Sequence, residues 1–128
     1  MMQTPKENEA NPTILLAEDD KLSSSYFKAV LSGQGFNVII VENGVDAVSV
    51  VRENPEVLLV LMDIKMPEKS GIEAALEIRS FNKSIPLIAQ TAFALAGDKE
   101  AIMKSGFDDY ITKPVSKEDL IAVVNRFL

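Results

Sequence analysis

Short apolar runs recur along the chain, and longer stretches with helical spacing lie between them. The runs are TILLA (13–17), FNVIIV (36–41), VLLVLM (57–62), PLIAQT (86–91) and DYIT (109–112), each of strand length. The spacing of the intervening stretches is clearest in the last, where Leu120, Val123, Val124 and Phe127 fall at i, i+3, i+4 and i+7. Ser116 supplies that helix with an N-cap, and Glu118 and Asp119 with an acidic first turn. Gly33 and Gly35 mark the exit from the first helix, and NGVDA (43–47) the entry to the second. Strands alternating with helices in this order predict a parallel sheet covered by helices on both faces. The third run agrees, because a strand covered on both faces loses its in-out alternation and becomes almost wholly apolar.

The opening residues break this pattern. MMQTPKENEANP is polar and has no apolar h-region of a signal peptide, which predicts a disordered lead or linker over residues 1–12 before one domain over 13–128. A chain of 128 residues suits one domain with its own core. No apolar run approaches the ~18 residues of a membrane span, so a cytoplasmic domain without membrane contact is expected. The formal charge of −6, with the basic residues scattered, argues against direct nucleic-acid binding and suits a basic partner or a cation. The chain has neither cysteine nor histidine. That removes disulfides, thiolate zinc sites and imidazole bases, and leaves oxygen to hold any metal, which points to Mg²⁺, Mn²⁺ or Ca²⁺.

In such sheets ligands bind beyond the carboxyl ends of the strands. Glu18, Asp19 and Asp20 follow the first strand, Asp63 follows the third, Thr91 ends the fourth, and Lys113 with Pro114 follows the fifth. Singly, each has an ordinary role: Asp63 as a turn residue, Thr91 as a β-branched strand residue, Lys113 as a surface cation, the acids as a solvated cap. Their joint placement at strand ends points to chemistry instead. Two carboxylates ~4 Å apart repel by roughly 4 kcal/mol near a protein surface, which raised pKa values or a hard cation must offset. An ammonium and a hydroxyl beside them complement a phosphoryl group, and a carboxylate held next to Mg²⁺ can accept that group as an acyl phosphate.

The segments ILLAEDD, LVLMDIKMPEKSG, IAQTA and GFDDYITKP, in this order and spacing, resemble the receiver domain of the two-component response-regulator family over residues 13–128. The resemblance implies a single flavodoxin-like, doubly wound α/β domain with a five-stranded parallel sheet in the order 2-1-3-4-5 and five helices on its two faces. It implies that Asp63 is the phosphoacceptor and that Asp19, with Glu18 commonly through water, holds Mg²⁺ or Mn²⁺. Asp63 itself and the backbone carbonyl of Lys65 would complete the protein's ligands. Lys113 would bond the phosphoryl group, aimed by a cis Lys113-Pro114 peptide, and Thr91 and Tyr110 would report phosphorylation. Lys65 and Phe93 stand where receivers tune the lifetime of the acyl phosphate, and Phe93 is expected to screen it from water.

The activity so implied is a phosphorelay switch, promoting only its own phosphorylation and dephosphorylation. Its donor would be a histidine kinase or histidine phosphotransfer domain. Its output would be a downstream protein or a self-dimer, through the face of the fourth helix, fifth strand and fifth helix. The receiver would be either free-standing or part of a hybrid histidine kinase or larger regulator. Three alternatives stay open. One is a receiver-like scaffold that is not phosphorylated. Another is an Mg²⁺-dependent aspartyl-phosphate hydrolase of the haloacid-dehalogenase type, which expects a second acid where Lys65 stands. The third is a flavodoxin-like cofactor binder, which needs phosphate-cradling Ser, Thr or Gly where acids stand.

Overall fold

Each apolar run forms a strand: β1 Thr13–Ala17, β2 Asn37–Val41, β3 Val57–Asp63, β4 Leu87–Thr91 and β5 Asp109–Thr112. The helices between and after them are α1 Lys21–Gly33, α2 Gly44–Glu53, α3 Gly71–Phe81, α4 Ala96–Lys104 and α5 Lys117–Phe127. This computed structural model describes residues 11–92 and 96–128, the side chains of 96 and 97 excepted. The lead expected over 1–12 therefore lies outside the described residues up to residue 10. Asn11 and Pro12 are attached to the start of β2, where the Asn37 N–H donates to the Pro12 carbonyl at 2.9 Å.

The helix ends follow their local chemistry. Asp20, Asn43, Ser70 and Ser116 are N-caps whose side chains accept from the backbone N–H three residues on. Ser70 and Glu73 complete a reciprocal capping box on α3. Gly35, at φ +91°, turns the chain out of α1 in a conformation that costs other residues more.

The strands are all parallel and lie in the order β2-β1-β3-β4-β5. The chain winds outward from β1 to β2, then crosses back to β3, so the direction of winding reverses between β1 and β3. That crevice is where this class of sheet places its ligands. Two apolar layers cover the sheet. Leu15, Val60, Met62 and Leu87 pack with Val48 and Val51 of α2, Ile78 of α3 and Ile102 of α4. Ile14, Leu16, Leu61 and Ile88 pack with Phe27 and Leu31 of α1 and Leu120, Val123 and Val124 of α5.

One residue of the apolar third run departs from its expected burial. Leu58 is 46% exposed. Thr13 pairs with Val57 but Ile14 with Leu59, so Leu58 is the extra residue of a bulge and joins neither of the layers that Val57 and Leu59 fill.

Candidate functional site

Sheet register brings the acids together. Ala17 pairs with Met62, so Glu18, the residue after β1, and Asp63, the last of β3, emerge side by side. Glu18, Asp19 and Asp63 each offer a carboxylate oxygen within 4.8 Å of the others. Glu18 is 1% exposed and Asp63 9%, whereas Asp19 is open to solvent. From the loop after β5, Lys113 Nζ donates to Asp63 Oδ2 at 2.8 Å and to Glu18 Oε1 at 3.1 Å. The remaining oxygens accept from backbone: Glu18 Oε2 from the Asp20 N–H and Asp63 Oδ1 from the Lys65 N–H, each at 3.1 Å.

Burial pushes the Glu18 carboxyl above its ordinary 4.5, and the charge of Asp63 adds to this, against the lowering effect of bonds from the Asp20 N–H and Lys113. Burial works to lower Lys113, but its bonds to Asp63 and Glu18 outweigh that and hold the ammonium above 10.5. With every group ionised, three carboxylates against one ammonium leave a formal charge of −2. An all-oxygen donor set with that excess fits a hard divalent cation. Asp20 stands apart from the trio. Its carboxylate caps α1 through the Ser23 hydroxyl and N–H, which hold it below its ordinary 3.8.

The loop after β3 is pinned from two sides. The Gly71 N–H donates to the Ile64 carbonyl at 2.8 Å, and a Cβ at Gly71 would fall 2.2 Å from the Asp63 carbonyl oxygen. Gly44, at the head of α2, donates to the Lys69 carbonyl at 3.0 Å, and a Cβ there would meet that oxygen at 2.2 Å. Only glycine permits both approaches. Between them Glu68 takes φ +68°, uncommon for a residue with a side chain.

Beside Asp63 opens a cavity of ≈ 310 Å³ lined by Lys65, Thr91, Asp98 and Lys113, with Ile64, Ile72 and Ile102 among its apolar walls. The Lys113-Pro114 peptide is cis. Tyr110 does not line this cavity. It is half-buried against the apolar layer under α2, α3 and α4, pairs in register with Ala89 two residues before Thr91, and borders a groove shared with Asp119 and Arg126 of α5. Phe93 lies outside the described residues.

The structure also places residues at the site that the sequence patterns did not single out. Asp98 reaches the cavity from α4, and Lys99 carries its ammonium 5.5 Å from the centre of the Tyr110 ring. Gln90, fully buried beside Thr91, has both amide atoms without a hydrogen-bond partner among the described residues. The one sign of Gln90 in the sequence is a polar residue inside the apolar run PLIAQT. Asp98 and Lys99 sit in an ordinary charged stretch and carry no such sign.

No helix among the described residues is long and apolar enough to cross a membrane. The chain is 40% identical over 120 residues to hybrid signal transduction histidine kinase I of Dictyostelium discoideum, a match that takes in 88% of this chain but only 7% of the kinase's length. With the polar-differentiation response regulator DivK of Brucella anthropi it shares 35% identity over 119 residues, covering 91% of this chain and 95% of DivK. Among solved structures, the receiver domain of the Pseudomonas aeruginosa sensor histidine kinase PA1611 superposes with a TM-score of 0.86 at 33% identity, covering 92% and 98% of the two chains. That domain was solved with a magnesium ion coordinated in its active-site cleft. The family model of the response regulator receiver domain matches residues 14–125, from inside β1 to inside α5, and the chain belongs to that family of two-component signalling domains.

Proposed function

We propose that the chain is a phosphorylation-activated switch in which Asp63 accepts a phosphoryl group from a histidine kinase or histidine phosphotransfer domain. The observation that carries this reading is the Lys113 ammonium, 2.8 Å from a shielded Asp63 carboxylate at the mouth of a cavity that also holds Thr91. An Asp63 oxygen attacks phosphorus, the P–N bond of the donor phosphohistidine breaks, and its electron pair stays on the imidazole. Lys113 and the Thr91 hydroxyl then bind phosphoryl oxygens. Glu18, Asp19, Asp63 and the Lys65 carbonyl would hold Mg²⁺, or Mn²⁺ by the same oxygen chemistry, which when bound neutralises charge on the phosphoryl oxygens.

Phosphorylation would alter the balance between two conformations through Thr91 and Tyr110. Inverting a 1:99 equilibrium requires about 5.5 kcal/mol of differential binding. Hydrogen bonds to a charged group contribute roughly 1.5–3 kcal/mol each, so Thr91 and Lys113 together supply most of it. The altered surface of α4, β5 and α5 would engage a downstream protein or a second copy of the domain. Residues 13–128 would be this receiver and 1–12 a polar lead. It would act in the cytoplasm, alone or within a longer regulator, and promote no reaction beyond its own phosphorylation and dephosphorylation. Lys65 and Phe93 would set the lifetime of the acyl phosphate, with Phe93→Ala shortening it.

Incubation with acetyl phosphate and Mg²⁺ followed by intact mass tests this. The expected result is one labile phosphoryl group, absent in Asp63→Asn and in the presence of a chelator. No adduct, or a stable one elsewhere, overturns the reading and favours the unphosphorylated scaffold.

A further inference from the structure

We propose that Lys99 is a positioning residue for Tyr110, holding the half-buried ring between α4 and β5, outside the cavity beside Asp63, and so setting how readily the receiver switches. The proposal rests on the reading of Thr91 and Tyr110 as the switching pair. The Lys99 ammonium is 5.5 Å from the centroid of the Tyr110 ring, inside the ~6 Å reach of a cation–π contact. Arg126, in the groove on the α5 side of β5, is paired with the Asp109 carboxylate.

Position makes the Lys99 contact relevant to the switch. Ala89 and Thr91 share a face of β4, since side chains alternate along a strand. Tyr110 pairs in register with Ala89, which puts the ring beside the segment that ends in Thr91. The residue before Lys99 is Asp98, which lines the cavity over Asp63. Consecutive charged residues of α4 thus face the phosphoryl cavity and the aromatic ring. A ring that follows Thr91 inward must leave the ammonium, so the contact stabilises the unphosphorylated arrangement. An exposed cation–π contact changes a two-state equilibrium by about two- to fivefold.

The test uses the full chain labelled with 3-fluorotyrosine, in which Tyr26 and Tyr110 are the two reporters. Beryllofluoride with Mg²⁺ is the phosphoryl mimic. Lys99→Gln is expected to move the unliganded Tyr110 ¹⁹F resonance toward its liganded position and to lower the beryllofluoride midpoint two- to fivefold. Lys99→Arg should retain the parent behaviour. In a Tyr110→Leu background, Lys99→Gln should add nothing. Loss of a cation near an anionic ligand would by charge alone weaken binding, the opposite sign. A normal beryllofluoride response that Lys99→Gln leaves unchanged, or an equal effect without the ring, overturns the proposal alone. A parent chain that gives no response to beryllofluoride overturns the phosphoacceptor reading and this one with it.

Discussion

Lys113 and Asp63 are 50 positions apart in sequence, yet the ammonium of one lies 2.8 Å from the carboxylate of the other. The same ammonium reaches the buried Glu18 at 3.1 Å. Lys113→Met would leave these acids and Asp19 without their positive partner. The expected loss is about 1–3 kcal/mol of stability at neutral pH in urea unfolding without metal. Added Mg²⁺ should recover most of it. A variant as stable as the parent in chelator would show that the ammonium does not hold the acids together.

Glu18 gives the metal-free domain a specific pH dependence. Its folded value is raised above 4.5 by burial, so the folded chain binds this proton more tightly than the unfolded one. The stability linked to it is present below 4.5 and is lost as pH rises through the folded value. Asp20 acts in the other direction. Its bonds from Ser23 lower it below 3.8, so its contribution is present above 3.8 and lost as pH falls through the folded value. Lys113, raised above 10.5, contributes fully across both windows. Glu18→Gln should therefore flatten the decline above 4.5 and leave the acid limb intact, as measured by unfolding in chelator across a pH series.

Three glycines should answer differently to alanine. A Cβ at Gly71 or Gly44 would sit 2.2 Å from a backbone oxygen, so something in the β3–α3 loop must shift. Each variant should lose more than about 2 kcal/mol and load phosphate more slowly. Gly33, with nothing within 4 Å of the added carbon, should gain about 0.4–1 kcal/mol. Denaturant midpoints compared at constant slope read all three.

Arg79 staples the far end of the sheet. Its guanidinium donates to the Gly106 carbonyl at 2.9 Å, the Ile85 carbonyl at 2.7 Å and Asp108 Oδ2 at 2.9 Å. Asp108 Oδ2 in turn accepts from the Leu87 N–H at 2.9 Å, which joins α3, the start of β4 and the turn before β5. Arg79→Leu should cost about 2–4 kcal/mol in thermal or urea unfolding. Arg79→Lys should recover only part, because a point charge cannot span acceptors in several directions.

The strands and the helix starts at Asn43 and Ser116 were legible from short-range patterns because each is decided within a few residues. Leu15 and Leu61 are apolar where a doubly covered sheet needs them, and Asn43 and Ser116 have the side-chain oxygens that caps require, whereas the caps at Asp20 and Ser70 emerged only with the fold. Leu58 was not legible, since its exposure comes from a bulge between β1 and β3 that no property of Leu58 announces. Tyr110 is expected to report phosphorylation with Thr91, and only the fold shows that it stands outside the cavity, between α4 and β5 with Lys99 beside its ring.

By itself the sequence determined the parallel α/β class, the oxygen-only chemistry of any metal site and the acids, hydroxyl and ammonium available at the strand ends. These depend on residue type and local period. Tertiary structure alone decided which of them meet. Glu18 turns to Lys113 while Asp20 turns to Ser23, although the two are separated by a single residue. Asp98 and Lys99 face different partners from one helix. Those choices follow from how parallel strands align and how helices dock on the sheet, which sum contacts between residues far apart in the chain.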